Sequence, residues 1–171
     1  MKSDNISNQA LRINIAKYAV LAIILVFVYN VFSQTYADSS ATVSQLESAV
    51  MKVDTDELKS TQSGTDLDIK KMFGLNVADY EGAVYNRPVS NMDAQELLII
   101  RAASTDQTKD IENAVKSRID KQKKVFEGYA PKQYDMLCDA KVIVKGRFVM
   151  YVTANNSERY ISAFNEELKR S

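Results

Sequence analysis

The sequence predicts an α+β protein. The expected architecture is one N-terminal transmembrane helix followed by a single domain, with a mainly antiparallel sheet of about four strands and helices packed on one face. Two observations carry the expectation. The first is an uncharged apolar run from Tyr18 to Phe32, YAVLAIILVFVYNVF, without equal elsewhere in the chain. The second is the order of elements after it: helix, helix, strand, strand, helix, helix, strand, strand, helix. That order lacks the βαβ alternation and the glycine-rich turn of a parallel nucleotide-binding sheet.

Ten of the fifteen residues in the run are Val, Leu, Ile or Phe. At about −0.3 to −0.6 kcal/mol each they favour insertion by roughly 3 to 6 kcal/mol, before Asn30 and two tyrosines are set against it. Tyr18, Leu21, Ile24, Leu25, Phe27, Val28 and Phe32 are the expected anchor residues. The run makes about 22 Å of helix against a hydrocarbon core of roughly 30 Å. Ile13, Ile15 and Ala16 lengthen the span if Lys17 snorkels to the headgroups. Tyr18 and Tyr29 lie near the two ends, where amphipathic rings prefer to rest. Lys2, Arg12 and Lys17 precede the run with Asp4 the one acid, and the first charge after it is Asp38. The basic end therefore stays in the cytoplasm and the remainder is extracytoplasmic.

A cleaved signal peptide is the competing reading, with Val31/Ser33 or Thr35/Ala37 as peptidase positions, and it would secrete the domain. A basic flank of seventeen residues is long for a signal peptide, which favours the uncleaved anchor. A buried core helix is disfavoured because the run has no polar face. The expected divisions are a cytoplasmic basic flank (1–17), an anchor (18–33), a tether (34–42) and an extracytoplasmic domain (43–171).

Within that domain Val43, Leu46, Val50 and Val53 recur at helical spacing. Asp54 to Asp66 is polar and reads as an exposed loop. A second helix follows from Leu67 to Phe73, with Asp66 placed to cap it and Gly74 to end it. In EGAVYNRPV, Ala83, Tyr85 and Arg87 alternate with Val84 and Asn86, and Pro88 limits the segment to an edge strand or a strand end. Ala94 to Ser104 fits helix or strand by periodicity, but its short continuous apolar centre, Leu97 to Ile100, argues a buried strand. Thr105 to Gly128 is the longest helix. Ile111, Ala114, Val115, Ile119 and Phe126 form its apolar stripe, with Lys116, Asp120 and Lys124 as a charged ladder opposite. Pro131 opens a short helix to Cys138. KVIVKGRFVMYVT reads as a hairpin turning at Lys145-Gly146. Ser157 caps a last helix in which Tyr160, Ile161, Phe164 and Leu168 share a face.

Charge is balanced, 22 basic residues against 22 acidic. The anchor region takes three of the bases and one acid, leaving no basic footprint for nucleic acid. Residues 34–100 carry 5 bases and 11 acids, residues 101–171 carry 14 and 10, an asymmetry that mutual attraction within one fold accounts for. Cys138 is the only cysteine. An exported domain without disulfides points to a bacterium relying on its core, and Cys138 reads as a small buried hydrophobe.

YEGAVYNRPVSNMDAQELLIIRAAS together with IENAVKSRIDKQKKVFEGYAPKQYDMLCDAKVIVKGRFVMYVTAN resembles a family of small exported or membrane-anchored proteins of Gram-positive anaerobes, catalogued as a domain of unknown function. Met92 to Ile100 with Glu96, the segment Phe126 to Pro131 and the hairpin ending at Gly146 carry the resemblance, which covers roughly Val43 to Phe164. It implies an N-terminal anchor or signal and one extracytoplasmic domain, and brings no catalytic or ligand residues.

The absence of histidine and the single cysteine remove Ser-His-Asp, Cys-His and almost every zinc or haem site. No cofactor or metal is expected. The cluster Asp54, Asp56, Glu57 suggests calcium, but the EF-hand glycine and glutamate positions counted from Asp54 hold Lys59 and Thr65, and from Asp66 hold Lys71 and Val77. Glu96, at the mouth of an apolar strand, is the acid most worth inspection; pairing with a buried arginine or backbone group is favoured over general acid work. Tyr80, Tyr85, Tyr129 and Tyr134 either line a groove for a peptide or sugar or close the core with their hydroxyls in water. Candidate binding residues are therefore Glu96, Tyr85, Tyr129 and Tyr134. Lys121, Lys123 and Lys124 read as a solvated face or a contact for anionic lipid or wall polymer. The expected function is a non-enzymatic, membrane-anchored cell-envelope protein that engages an envelope protein or wall polymer. The alternative is a small carboxylate-dependent hydrolase or transferase acting on cell-surface glycans.

Overall fold

The computed structural model describes residues 17–28, 39–54 and 57–171. Several expectations lie outside the described residues: the flank with Lys2 and Arg12, the anchor positions Tyr29, Asn30 and Phe32, the peptidase positions near Ser33 and Ala37, most of the tether, and Asp56. The chain divides into two units, Met1–Thr35 and Tyr36–Ser171.

In the first unit residues 17–28 are helical (α1). No polar face is present: Leu21, Ile24, Leu25 and Phe27 are each at least half exposed, at 54, 51, 61 and 67%. Among the described residues no helix is long and apolar enough to cross a membrane.

The second unit is α+β, with a five-stranded sheet in the order β1-β2-β3-β5-β4, every neighbouring pair antiparallel. Its elements run α2 (Val43–Lys52), β1 (Thr61–Ser63), α3 (Asp66–Phe73), β2 (Tyr80–Pro88), β3 (Glu96–Ala102), α4 (Thr108–Phe126), α5 (Pro131–Cys138), β4 (Lys141–Lys145), β5 (Phe148–Thr153) and α6 (Ser157–Arg170). The additional strand, β1, lies in the stretch expected to be loop. It pairs with the end of β2, Thr61 opposite Pro88, so β2 is internal and its proline sits at the strand end, where the missing N–H costs little.

The helices cover both faces of the sheet, a correction to the single covered face predicted from sequence. β3 and β5 are apolar at almost every position, and a strand turns successive side chains to opposite sides. Leu97, Ile99, Phe148, Met150 and Val152 therefore pack with Leu46 and Val50 of α2 and Tyr160, Phe164 and Leu168 of α6. Leu98, Ile100, Val149 and Tyr151 pack with Ile69 and Phe73 of α3 and Ile111, Val115 and Ile119 of α4. A strand apolar on both sides needs cover on both, the same physics that makes buried parallel strands read as continuous apolar runs. A smaller cluster of Ala94, Phe126, Met136 and Leu137 closes the corner between α4 and α5.

Other differences are local. Thr65, not Asp66, caps α3, and Asp68 completes the capping box. Ser157 is the first residue of α6, and its Oγ donates to the Ala154 carbonyl at 3.0 Å. Lys116 pairs with Glu112 at 2.5 Å, one turn earlier than the expected ladder. The hairpin turns one residue later than expected: Lys145 remains opposite Phe148, and Gly146, at φ 54°, supplies the left-handed residue. Cys138, at the end of α5, is exposed rather than buried. The end of the expected tether is docked: Ser39 and Ala41 are buried, and Arg101 donates to their carbonyls at 3.3 and 3.2 Å.

Candidate functional site

β3 begins with a charge, directly before the apolar run Leu97 to Ile100. Glu96 shares the α4 side of the sheet with Leu98 and Ile100, and only 1% of it is exposed. Burying a carboxylate is costly unless it is paired and hydrogen-bonded, and three neighbouring elements meet that requirement. Tyr85 of β2 and Tyr151 of β5 both sit opposite Leu98, one on each side. Their hydroxyls reach along the sheet to donate to Glu96, Tyr85 to Oε1 at 3.0 Å and Tyr151 to Oε2 at 3.1 Å. Thr153, directly opposite Glu96, donates to the Tyr151 hydroxyl at 2.7 Å. From above, Arg118 of α4 places Nη2 2.6 Å from Glu96 Oε1.

The electrostatics follow from burial. Burial, and then the adjacent Glu96 charge, raise the Tyr85 phenol far above its ordinary value, and the same two causes act on Tyr151. Both phenols thus remain protonated donors. Burial opposes the Arg118 charge, but the hydrogen bond and charge of Glu96 outweigh it and hold its pKa above the usual one. The neighbouring turn also shapes the site. A Cβ on Gly64 would lie 2.5 Å from the Tyr85 ring, so only glycine lets the chain pass this close. Phe73 buttresses the same ring edge-on at 5.3 Å.

Above this cluster is a pocket of about 220 Å³. Tyr85 and Arg118 belong to its lining, with Gln122 and Val125 of α4, Met72 of α3, and Arg87, Pro88, Ser90, Asn91 and Asp93 from β2 and the loop after it. With its amide oriented to accept, Gln122 receives Arg118 Nη1 at 3.3 Å and also Nη2. Arg87 is directed in the same manner by Gln62, 2.7 Å from both Nη atoms, with Asp68 3.8 Å from Nε. The loop is held in shape by Ser90, whose Oγ accepts from Met92 N and whose carbonyl accepts from Asp93 N, both at 3.1 Å. Gln133 of α5 anchors its far end through Ala94 N at 3.0 Å.

Of the four candidate binding residues, the structure brings Glu96 and Tyr85 together. Tyr129 is exposed, tilted against Phe126 with ring centroids 5.9 Å apart. Tyr134 packs on the α4–α5 corner. Neither lines the pocket. Arg118, Tyr151, Arg87 and the loop acid Asp93 were not singled out from sequence. Arg118 left a trace there: it stands seven residues after Ile111 and three after Val115, on the apolar stripe of its helix.

Chemically, Glu96 is an acceptor whose two oxygens are both engaged and which lies beneath the pocket lining. The lining contains one acid, Asp93. Glycoside hydrolysis calls for two carboxyl groups about 5 to 9.5 Å apart across the scissile bond. Among the described residues no group of three or more His, Cys, Asp or Glu side chains is placed to hold a metal ion.

Over residues 42–154 the chain matches the family model described as Domain of unknown function (DUF4358). No curated protein gives a significant match, and neither does any solved structure.

Proposed function

We propose that this chain, which belongs to the DUF4358 family, is a non-enzymatic, membrane-anchored cell-envelope protein whose second unit binds an envelope component at the pocket over Glu96. The observation that carries the binding reading is the state of the buried carboxylate. Both oxygens of Glu96 are engaged, by Arg118, Tyr85 and Tyr151, and this ties three elements together as the pocket floor. Asp93 alone among the lining residues is acidic, which favours holding a ligand over hydrolysing it.

The anchoring half of the proposal draws on the uncharged run from Tyr18 to Phe32, the basic flank before it, and the exposed apolar sides of α1. An apolar helix without a polar face needs an apolar surround. On this reading residues 1–17 lie in the cytoplasm and residues 43–171 outside it.

Cell fractionation with N-terminal sequencing tests the anchor: intact protein that stays with membranes after a high-salt wash is expected. A reporter fused after Ser171 and active solely in the cytosol would overturn the topology. Crosslinking the intact protein in membranes tests binding, with adducts expected to diminish when Arg118 or Asp93 is replaced.

A further inference from the structure

We infer that the pocket over Glu96 is a saccharide subsite, taking one uncharged sugar ring of an envelope glycan; this deepens, and rests on, the reading of the second unit as a binding module. Three observations select that class of ligand. The first is charge. Arg87 and Arg118 line the pocket, but Asp93 lines it too and Glu96 lies directly beneath, 2.6 Å from Arg118. The guanidiniums are thus offset, and no surplus of positive charge remains to recruit a phosphate-rich polyanion.

The second is the hydrogen-bonding inventory. A sugar hydroxyl donates and accepts at once, so its site must present both functions at close spacing. Asn91 brings a carboxamide with both functions, Gln122 an amide N–H beside its Arg118-engaged oxygen, Asp93 brings acceptors, and the arginines bring the N–H groups not taken by Glu96, Gln122 and Gln62. An anion site would need donors alone. A lipid or acyl site would need few of either.

The third is shape. The walls at Met72, Pro88 and Val125 are apolar, matching the C–H faces that a pyranose ring presents between its hydroxyls. The volume of about 220 Å³ falls below the roughly 300 to 1,000 Å³ of pockets that enclose drug-sized ligands. One ring fits and a longer chain must leave through the opening, as a polymer would. The Ser90 turn holds the loop ready, which lowers the ordering cost that weakens many sugar sites.

The test uses the full chain in lipid nanodiscs, without sugar-headed detergents. Saturation-transfer NMR is recorded with glucose, N-acetylglucosamine, glucuronate and inorganic phosphate as probes. At least one of the two neutral sugars is expected to receive saturation. Asn91→Ala combined with Asp93→Ala, both changes on the loop surface, is expected to weaken that binding by about tenfold or more, the loss of one or two polar contacts. Binding of glucuronate and phosphate but of neither neutral sugar, abolished by salt, would instead make this an anion site and overturn the proposal. Binding of none of the four overturns it as well, and so does neutral-sugar binding that the double variant leaves unchanged. Sedimentation with isolated cell-wall material separates this failure from failure of the wider reading. If the double variant still sediments like the wild type, the module binds elsewhere and only the subsite is lost.

Discussion

Among the described residues two acids are buried in the second unit, Asp54 and Glu96, and they are buried for different reasons. Asp54 follows α2 and accepts from the next stretch of its own backbone, Leu58 N at 3.1 Å and Lys59 N at 2.8 Å. Two partners also reach it from α6, the Tyr160 hydroxyl at 2.6 Å and the Arg159 guanidinium at 3.9 Å. It works as the cap of a turn, the service aspartates give throughout proteins. Glu96 receives no such local help among its hydrogen bonds: Tyr85, Arg118 and Tyr151 come from three separate elements. Such a residue has meaning only once the sheet and α4 have met. The contrast teaches how to separate a buried acid that shapes a loop from one that shapes a site. What decides it is whether the adjoining backbone supplies donors, as it does for Asp54 and not among the hydrogen bonds of Glu96, and burial alone does not.

The comparison breaks most visibly at Glu96. Glu96→Gln or Arg118→Met leaves the other partner buried without its counter-charge, and either is expected to cost about 3 to 5 kcal/mol. For a chain of this size that is a fall in melting temperature of roughly 6 to 20 °C. The double variant Glu96→Gln with Arg118→Met is expected to recover part of the loss, since no unpaired charge is left buried and the carboxamide oxygen can still accept from the tyrosine hydroxyls. Urea unfolding of all three variants gives the coupling. Additive losses would mean that the two residues act independently.

Alkaline pH separates the two clusters next. The Tyr85 and Tyr151 phenols have folded-state values above their unfolded value of about 10. Their contribution is therefore complete below pH 10 and is lost as pH rises towards the folded values. Together they are expected to remove roughly 2 to 3 kcal/mol by pH 11, about 1.4 kcal/mol for each phenol. Tyr160, beside Asp54, is pushed up only to about 12, by burial and then by that hydrogen bond. Phenolate absorbance should accordingly show Tyr160 titrating ahead of the other two.

Asp54→Ala should cost about 2 kcal/mol, the usual penalty when buried donors lose their acceptor. The damage should centre on the turn at Leu58 and Lys59 and on the start of α6, which hydrogen exchange resolves. Gly64→Ala is expected to cost about 1 to 2 kcal/mol by overpacking against Tyr85. Its signature is a change in probe binding at the pocket greater than the change in stability implies. At the bottom of the scale, Lys116→Ala removes an exposed partner of Glu112 and should stay within about 0.5 kcal/mol in a thermal melt.

Much of this molecule is legible one segment at a time. The α+β class follows from the order of patterned segments, and α2, α3, β3, α4, α5 and the β4–β5 hairpin follow from periodicity, capping residues, Pro131 and the positions of Gly74 and Gly146. Those are local signals, set by the period of the side chains and by backbone preferences that no distant contact needs to supply. Even the second covered face was written in the unbroken run Leu97 to Ile100, where alternation without a polar partner implies two apolar sides.

The site required more. Nothing near Glu96 in sequence names Arg118, 22 residues on, or Tyr151, 55 residues on. Nor do the polar residues Ser90, Asn91 and Asp93 differ in type from those of an ordinary loop. Tyr129 and Tyr134 looked as suitable for a groove as Tyr85 did, because ring chemistry is the same wherever the ring sits. By itself the sequence determined which segments are apolar, and that one glutamate stands directly before the apolar run Leu97 to Ile100. Only the tertiary structure decided which partners neutralise it and which loop closes over it. A charge is stabilised by whatever lies within a few ångströms in space, and that neighbourhood exists only in the folded sheet.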